Sequence, residues 1–218
     1  MKLSRAFYDR PTLDVARDLL GLVLVHNRRG VRTSGVIVEV EAYIGESDPA
    51  CHAAPGPTVR NQPLYGRPGH AYVYLNYGIH CLMNVVTEAH GSPAAVLIRA
   101  LDPVDGIDVM RRRRARAMKG RRLPPGVSAL VQHELCRGPG NLTMAMGITL
   151  AENRLDLVGD RLYVDDRGLP VGDVAWGGRV GIRVGTEHPW RAWISGHPSV
   201  SGRASSSFRP SSRAFARR

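Results

Sequence analysis

Lysine is nearly absent from this chain. Of 30 basic residues among 218, only Lys2 and Lys119 are lysines and the other 28 are arginines. A reaction that needs a side-chain amine as nucleophile has almost nothing to draw on, because arginine stays protonated. Cysteine is scarce as well. Cys51, Cys81 and Cys136 make an odd number with no C-x-x-C spacing, so neither a disulfide framework nor a zinc knuckle follows. His52 adjoins Cys51, but neighbours in sequence rarely ligate one metal without further ligands close by, and neither a metal nor another cofactor is expected. Long apolar runs are missing; "GLVLV" is typical of what exists, and "MKLSRAFYDR" lacks the apolar core of a signal peptide. These absences predict a soluble, cytoplasmic protein with no membrane partner, nucleoid-associated if bacterial. There are no internal repeats and no G-x-x-x-x-G-K-[ST] loop.

What the chain has in excess is positive charge. The net charge is +11, while 43% hydrophobic and 22% charged residues are ordinary for a globular protein. A basic excess of this size points to a polyanion, most often nucleic acid. Two clusters carry much of it: "RRRRARAMKGRR" at 111–122, and residues 203–218 with five arginines and no acid. A solvated charge run is the alternative for both. The composition separates residues 1–202, a single folded domain, from 203–218, a Ser/Arg-rich tail expected to be disordered.

Periodicity and turn residues predict the elements. "RPTLDVARDLLG" reads as a helix, and "LVLVHNRRGVRTSGVIVEVEAYIG" as two strands joined through Asn27 to Gly30. "SDPACHAA" offers Ser47 or Asp48 as cap and Pro49 in a first turn, hence a short helix carrying His52. Residues 55–70 read as a Pro/Gly loop, "AAVLIRAL" as a buried strand and 104–119 as a basic helix. "GPGNLTMAMGI" starts a helix near Asn141, whose free N–H groups suit an anion or are simply an ordinary helix start. "RLYVD", "VGIRVG" and "AWISG" read as short strands. The class is α+β: one domain with a curved, largely antiparallel sheet, a protruding β-hairpin and surrounding helices.

That hairpin, "AYVYLNYGIHCLMN", poses a question. Its strands meet at Asn76-Tyr77-Gly78, where Asn and Gly supply the turn and a large ring is left facing water. Elsewhere, "GVIVEVEAY" alternates so that Ile37, Glu39, Glu41 and Tyr43 share one face and Val36, Val38 and Val40 the core face. Two carboxylates on a strand suited to burial are either paired with arginines or used, one of them as general base; periodicity does not say which. Arg99 interrupts "VLIRAL" and needs an anionic partner, a strand glutamate being the natural candidate. Asn84 sits in "CLMNVV", where an amide more often closes a backbone hydrogen bond than reads a ligand. Tyr43, His52 and Tyr74 suit core packing; with the acid, Arg99 and Asn84 they also suit an aromatic-walled polar pocket.

"VIVEVEAYIGESDPACHA", "AYVYLNYGIHCLMN", "AAVLIRALDP", "ELCRGPGNLTMAMGI" and "GRVGIRVG" resemble, in order, segments of the alkyladenine (3-methyladenine) DNA glycosylase family, from about Arg10 to Ser201. The resemblance implies a monofunctional hydrolase of base excision repair. Such an enzyme flips alkylated or deaminated purines (3-methyladenine, 7-methylguanine, hypoxanthine, ethenoadenine) out of double-stranded DNA, works as a monomer, and cleaves the N-glycosidic bond without breaking the strand. It implies Glu41 as general base with Glu39 supportive, Arg99 holding the glutamate, water and backbone, and the Val180 carbonyl as a further water contact. Tyr43, His52 and Tyr74 enclose the base, Asn84 obstructs the exocyclic amine of normal guanine, and Tyr77 is the wedge that enters the duplex. Arg60, Gly78, Ile79, Gly140 and Asn141 are expected at the DNA surface. The chain departs from the family pattern at Ile79, His80 and Ser199, which bears on the grip beside the wedge and on the end of the fold.

Two other readings predict different things. A carboxylate-pair glycan hydrolase fits poorly with three tryptophans and a pI near 10.4. A non-catalytic nucleic-acid-binding module explains the charge and Tyr77, but gives no reason for Glu39, Glu41 and Arg99 on buried strands.

Overall fold

Alternating apolar residues between turn signals build the centre of the molecule. A computed structural model describes residues 1–117 and 130–202. In it, β1 (Val23–Arg28) and β2 (Val31–Ile44) form a hairpin closed by Arg29 and Gly30, at φ 50° and 74°. A second hairpin joins β3 (Ala71–Asn76) to β4 (His80–Val86), followed by β5 (Ala94–Asp105). Later come β6 (Leu162–Asp165), β7 (Val174–Gly177) and β8 (Arg191–Ile194). Pairing is antiparallel throughout, in the order β3-β4-β5-β2-β1-β6; β8 pairs with β2 at Glu39–Glu41, and β7 with β8. The helices are α1 (Arg5–Tyr8), α2 (Thr12–Leu19), α3 (Ile107–Ala117) and α4 (Pro139–Met146). The architecture is the expected α+β one, a curled antiparallel sheet with helices.

The sheet has two buried faces with different duties. Val15, Ala16 and Leu19 of α2 and Leu142, Ala145 and Met146 of α4 pack on Val40, Ala42, Met83, Val85, Val96 and Ile98 to make the main core. The opposite face carries Tyr72, Val86 and Ala95, covered by Cys51, Ala53 and Leu64 from the long loop between β2 and β3. Strand alternation enforces the division: neighbours in sequence go to opposite faces.

The face expected for Ile37 is wrong, and a bulge explains it. The β2–β5 register shifts on both sides of Glu39. One extra residue reverses the phase of a strand, so Ile37 lies in the main core with Val40 and Ala42, while Glu39, Glu41 and Tyr43 face the other way. Val36, assigned to the core face, packs instead with Val23, Val25 and Tyr163.

Other expectations also change. Residues 48–54 form consecutive turns instead of a helix, because the Asp48 carboxylate accepts from Ile44 and Ala50 N–H and turns back towards Arg179. "VGIRVG" is an irregular loop, not a strand. Arg179, at its start, is buried and holds Asp48 with two bonds of 2.6 and 2.8 Å, plus the carbonyls of Ala42 and Gly185. Strand β7 was not expected. The basic helix starts at Ile107, after Val104 has served in β5; Lys119 lies outside the described residues, as does the tail expected to be disordered. Ser199 is fully buried, its hydroxyl 3.4 Å from Asp102, so the end of the fold is packed without a large ring there.

Arg179 thus pins the loop that carries Val180 to the end of β2. Replacing it by Met leaves a buried carboxylate with no cation, which should lower stability by about 3 kcal/mol in urea titration. Amide exchange at Val180 should accelerate in the same variant; unchanged exchange there would show that the loop is held by something else.

Candidate active site

One row of residues across the sheet sets out the site. Tyr72 pairs with Asn84, Asn84 with Leu97, Leu97 with Glu41, and Glu41 with Arg191, so β3, β4, β5, β2 and β8 each contribute one position at the same level. Residues paired in this way point to the same face. In front of the row lies a cavity of about 380 Å³ lined by Tyr43, His52, Tyr72, Tyr74, Asn84 and Arg99, with Tyr77, Pro139 and Val180 at its margin. That volume lies within the roughly 300–1,000 Å³ typical of small-molecule pockets.

Aromatic rings make the walls. His52 packs edge-on to Tyr74 with centroids 4.4 Å apart, and Tyr72 lies 5.4 Å from Tyr74. His52 Nδ1 is 2.9 Å from the Tyr72 hydroxyl, and Asn84 donates to the Tyr72 carbonyl at 3.1 Å. Burial pushes the Tyr72 and Tyr74 phenols up to about 12, so both are neutral at physiological pH. Burial, with the nearby Arg60 cation second, lowers the His52 pKa and keeps its ring neutral too. Tyr72 was not among the expected pocket residues, although its spacing of two from Tyr74 places both on one face of β3.

Behind the wall lies a buried charge cluster. Glu39 and Glu41 are both 0% exposed. Arg99 lies between them, its Nε 2.7 Å from Glu39 and its Nη1 3.1 Å from Glu41. Burial opposes the Arg99 charge, but Glu41 and Glu39 together outweigh it and raise its pKa. The two carboxylates differ in their other partners. Glu39 also takes Arg191 Nε at 2.8 Å and the Ser201 N–H and hydroxyl at 2.6 and 3.0 Å. Glu41 takes the Tyr43 hydroxyl at 2.9 Å and the Val180 N–H at 2.6 Å. Tyr43, Arg99 and Val180 all line the cavity, so Glu41 sits one layer behind the wall while its three donors form it. Val180 reaches Glu41 through its amide; the family resemblance had pointed to its carbonyl.

Arg191 and Ser201 were missed in the sequence. The signal for Arg191 was the one that exposed Arg99, a charge inside an apolar strand, "WRAWI". Ser201 left no signal, since a serine after "HPSV" looks like any loop residue.

The hairpin tip is as exposed as its sequence implied. Tyr77 is 88% exposed and Ile79 68%. The turn positions are Tyr77 and Gly78, at φ 49° and 69°, while Asn76 remains in the strand and accepts from Ile79 N–H at 3.0 Å. A left-handed conformation costs a non-glycine residue roughly 1–2 kcal/mol. Tyr77 therefore carries both backbone strain and solvent exposure, the kind of local cost that clusters at functional sites.

The remaining expected DNA contacts are distributed unevenly. Arg60 is exposed beside the hairpin, near the Tyr74 ring and the Leu75 carbonyl. Gly140 lies in the first turn of α4 against β4, where an added Cβ would stand 3.0 Å from the His80 ring. His80 is therefore a packing residue under the hairpin, unlike its neighbour Ile79. The Asn141 side chain is engaged internally with Arg114 and the Arg137 carbonyl. Among the described residues, no group of three or more His, Cys, Asp or Glu is placed to hold a metal ion, and no helix is long and apolar enough to cross a membrane.

The two glutamates should respond differently to substitution. Glu39→Gln leaves Arg191 without any carboxylate and should cost about 3–5 kcal/mol. Glu41→Gln keeps Arg99 paired with Glu39 and should cost less than half as much. Urea unfolding of both variants measures the difference, and equal losses would contradict this division of labour.

Comparison with known proteins agrees with the geometry. The family described as Methylpurine-DNA glycosylase (MPG) matches residues 6–198. A protein of Methanocella arvoryzae named "Putative 3-methyladenine DNA glycosylase" is 47% identical over 206 residues, covering 93% of this chain and 96% of that one. Proteins with the same name from Burkholderia lata and Clostridium acetobutylicum are 45% and 44% identical, covering 92% of this chain and 91% and 98% of theirs. The match spans both hairpins, the bulged strand with its two glutamates, and the loop carrying Val180: the chain belongs to the methylpurine-DNA glycosylase family.

Proposed function

We propose that this chain is a monofunctional DNA glycosylase. It everts a damaged purine from double-stranded DNA into the aromatic cavity and hydrolyses its N-glycosidic bond. The observation that carries the reading is Glu41, a carboxylate buried behind the wall of a base-sized cavity and held by three donors that form that wall. A carboxylate has about four acceptor positions, and three donors leave one unused; because Glu41 is fully buried, a water reaches it only once one of the wall donors gives way.

The chemistry follows from that placement. An N-alkylated purine is cationic and leaves readily as its bond to C1′ breaks, with oxocarbenium character developing on the sugar. Glu41 stabilises that charge and takes a proton from water as the water oxygen bonds to C1′. Hypoxanthine is neutral and needs protonation to leave. Arg99 keeps Glu41 in place. Stacking on Tyr43, His52 and Tyr74 contributes roughly 1–3 kcal/mol per ring. Asn84 lines the cavity, and the role the family resemblance gives it, obstructing the exocyclic amine of a normal guanine, supports a preference for 3-methyladenine, 7-methylguanine, hypoxanthine and ethenoadenine.

Tyr77 supplies the wedge. Stacked base pairs offer its ring the apolar contact that water denies it, and filling the vacated space slows return of the base. One protein molecule per lesion suits this geometry. Lysine scarcity supports base release without strand cleavage: the one lysine among the described residues, Lys2, pairs with Asp160 beside β6, at the sheet edge opposite the β3–β4 hairpin.

Duplexes bearing ethenoadenine, hypoxanthine or 7-methylguanine provide the test, with base release scored as alkali-labile sites. Glu41→Gln should bind a lesion duplex with near wild-type affinity and lose at least about 100-fold in single-turnover excision. Substantial turnover by that variant would remove Glu41 from the chemistry. Tyr77→Ser should fold normally and bind lesion duplex at least ten-fold more weakly, the scale of a few kcal/mol of unstacking; unchanged affinity and excision would remove the wedge.

A further inference from the structure

The second hairpin raises the same question as the first. The β1–β2 turn also has a non-glycine residue in the left-handed region, Arg29 at φ 50°, followed by Gly30. Around it the structure gathers arginines. A cavity of about 450 Å³ is lined by Arg28, Arg29 and Arg113 with the C-terminal turn of α4, and an adjoining one of about 410 Å³ by Arg28, Arg29 and Arg161. Arg112 lies next to Arg113 on α3, and Arg116 follows one turn later on the same side.

Part of this cluster has an internal explanation. Arg28 and Arg113 donate to the Gly147 and Ala145 carbonyls at 3.1 and 3.0 Å, satisfying the end of α4. Arg161 and Arg28 share the buried Glu152. Arg29, Arg112 and Arg116 are exposed and have no partner among the described residues. Burial, then the like charges of Arg28 and Arg112, lower the Arg113 pKa. Among the described residues, the only carboxylate paired with any of these six guanidiniums is Glu152, and only Arg28 and Arg161 reach it.

The position of the cluster identifies its partner. Antiparallel pairing through β3, β4, β5, β2 and β1 makes β3, β5 and β1 run in one direction. The tips carrying Tyr77 and Arg29 therefore close the same end of the sheet, and α3 begins from β5 at that end too. Three strand spacings, about 14 Å, separate the hairpins across the sheet, and the β1–β2 tip stands about five residues, roughly 17 Å, further along the strands. Together these offsets come to roughly 22 Å, between six and seven base pairs at 3.4 Å per step.

We infer that Arg29 and Arg112, with the arginines around them, form a second contact surface that grips the phosphate backbone of the same duplex roughly six to seven base pairs from the everted nucleotide. This rests on the glycosylase reading above. Guanidinium forks match phosphate oxygens, and each phosphate neutralised releases condensed counterions, which makes the contact salt-dependent.

The test uses the full chain, the Arg29→Ser/Arg112→Ser double variant, and two fluorescent 30-base-pair duplexes, one undamaged and one carrying ethenoadenine. Both side chains are exposed and unpartnered, so the variant should melt within a degree or two of wild type. On undamaged duplex its plot of log affinity against log salt should be shallower by about 2, so a four-fold rise in salt costs wild type roughly ten-fold more than it costs the variant. Single-turnover excision at saturating protein should be unchanged, and stoichiometric titration should give one duplex per chain for both proteins. An unchanged salt slope would show that the cluster is merely solvated. Two duplexes per wild-type chain would overturn the shared-duplex geometry, and a parallel fall in saturated excision would place these arginines in the lesion site. Failure of wild type itself to excise would count against the glycosylase reading, while the undamaged-duplex arm would still decide whether the surface binds phosphate.

Discussion

Everything at the candidate site hangs on one guanidinium shared by two carboxylates. Arg99 bonds Glu39 through Nε and Glu41 through Nη1, with both acids removed from solvent. Buried charges are tolerated only when paired and hydrogen-bonded, so the surroundings must supply compensation from several parts of the chain. Arg191 comes from β8, Ser201 from the last described turn, Val180 from the loop pinned by Arg179, and Tyr43 from β2 itself. Such a cluster ties distant segments to a fixed geometry. It also makes the two acids unequal: Glu39 is consumed by two cations and a serine, whereas the donors around Glu41 are themselves the cavity wall.

The bulge in β2 makes this arrangement possible. An uninterrupted strand would put Ile37 and the glutamates on one face and force either an apolar side chain into the ion cluster or an acid into the main core. Reversing the phase at Glu39 gives each face a single character. Helices α2 and α4 then seal the apolar face, leaving the other to rings, amides and charges. The cavity follows from that segregation, since side chains of Tyr72, Tyr74 and Asn84 converge above the row instead of being packed flat by a helix.

The two hairpins express a common principle at the surface. Each ends in a left-handed residue followed by a left-handed glycine, and in each the first position carries a side chain the turn does not need. At one tip it is a phenol, at the other a guanidinium. An Asn-Gly turn would relieve the strain in both. Keeping Tyr77 and Arg29 there instead leaves an apolar ring and an unpaired cation projecting from one end of the sheet, the two chemistries that stacked bases and phosphates accept.

Local signals in the sequence were enough for the hairpins, the paired acids, the exposed ring at Tyr77, the isolated charge at Arg99 and the basic excess, because period, turn chemistry and charge are written residue by residue. The family could be read too, since five segments keep their order. Three matters waited for tertiary structure. Which face Ile37 takes depends on a register shift, and register is a property of two strands. Residues 48–54 and 180–185 look helical and extended by composition, yet Asp48 and Arg179 find each other across 131 positions and bend both segments to suit a buried pair. Periodicity likewise left Glu39 and Glu41 alike, and only the family resemblance told them apart; in the fold it is the arrival of Arg191 and Ser201 at Glu39, from the far end of the chain, that gives them different surroundings.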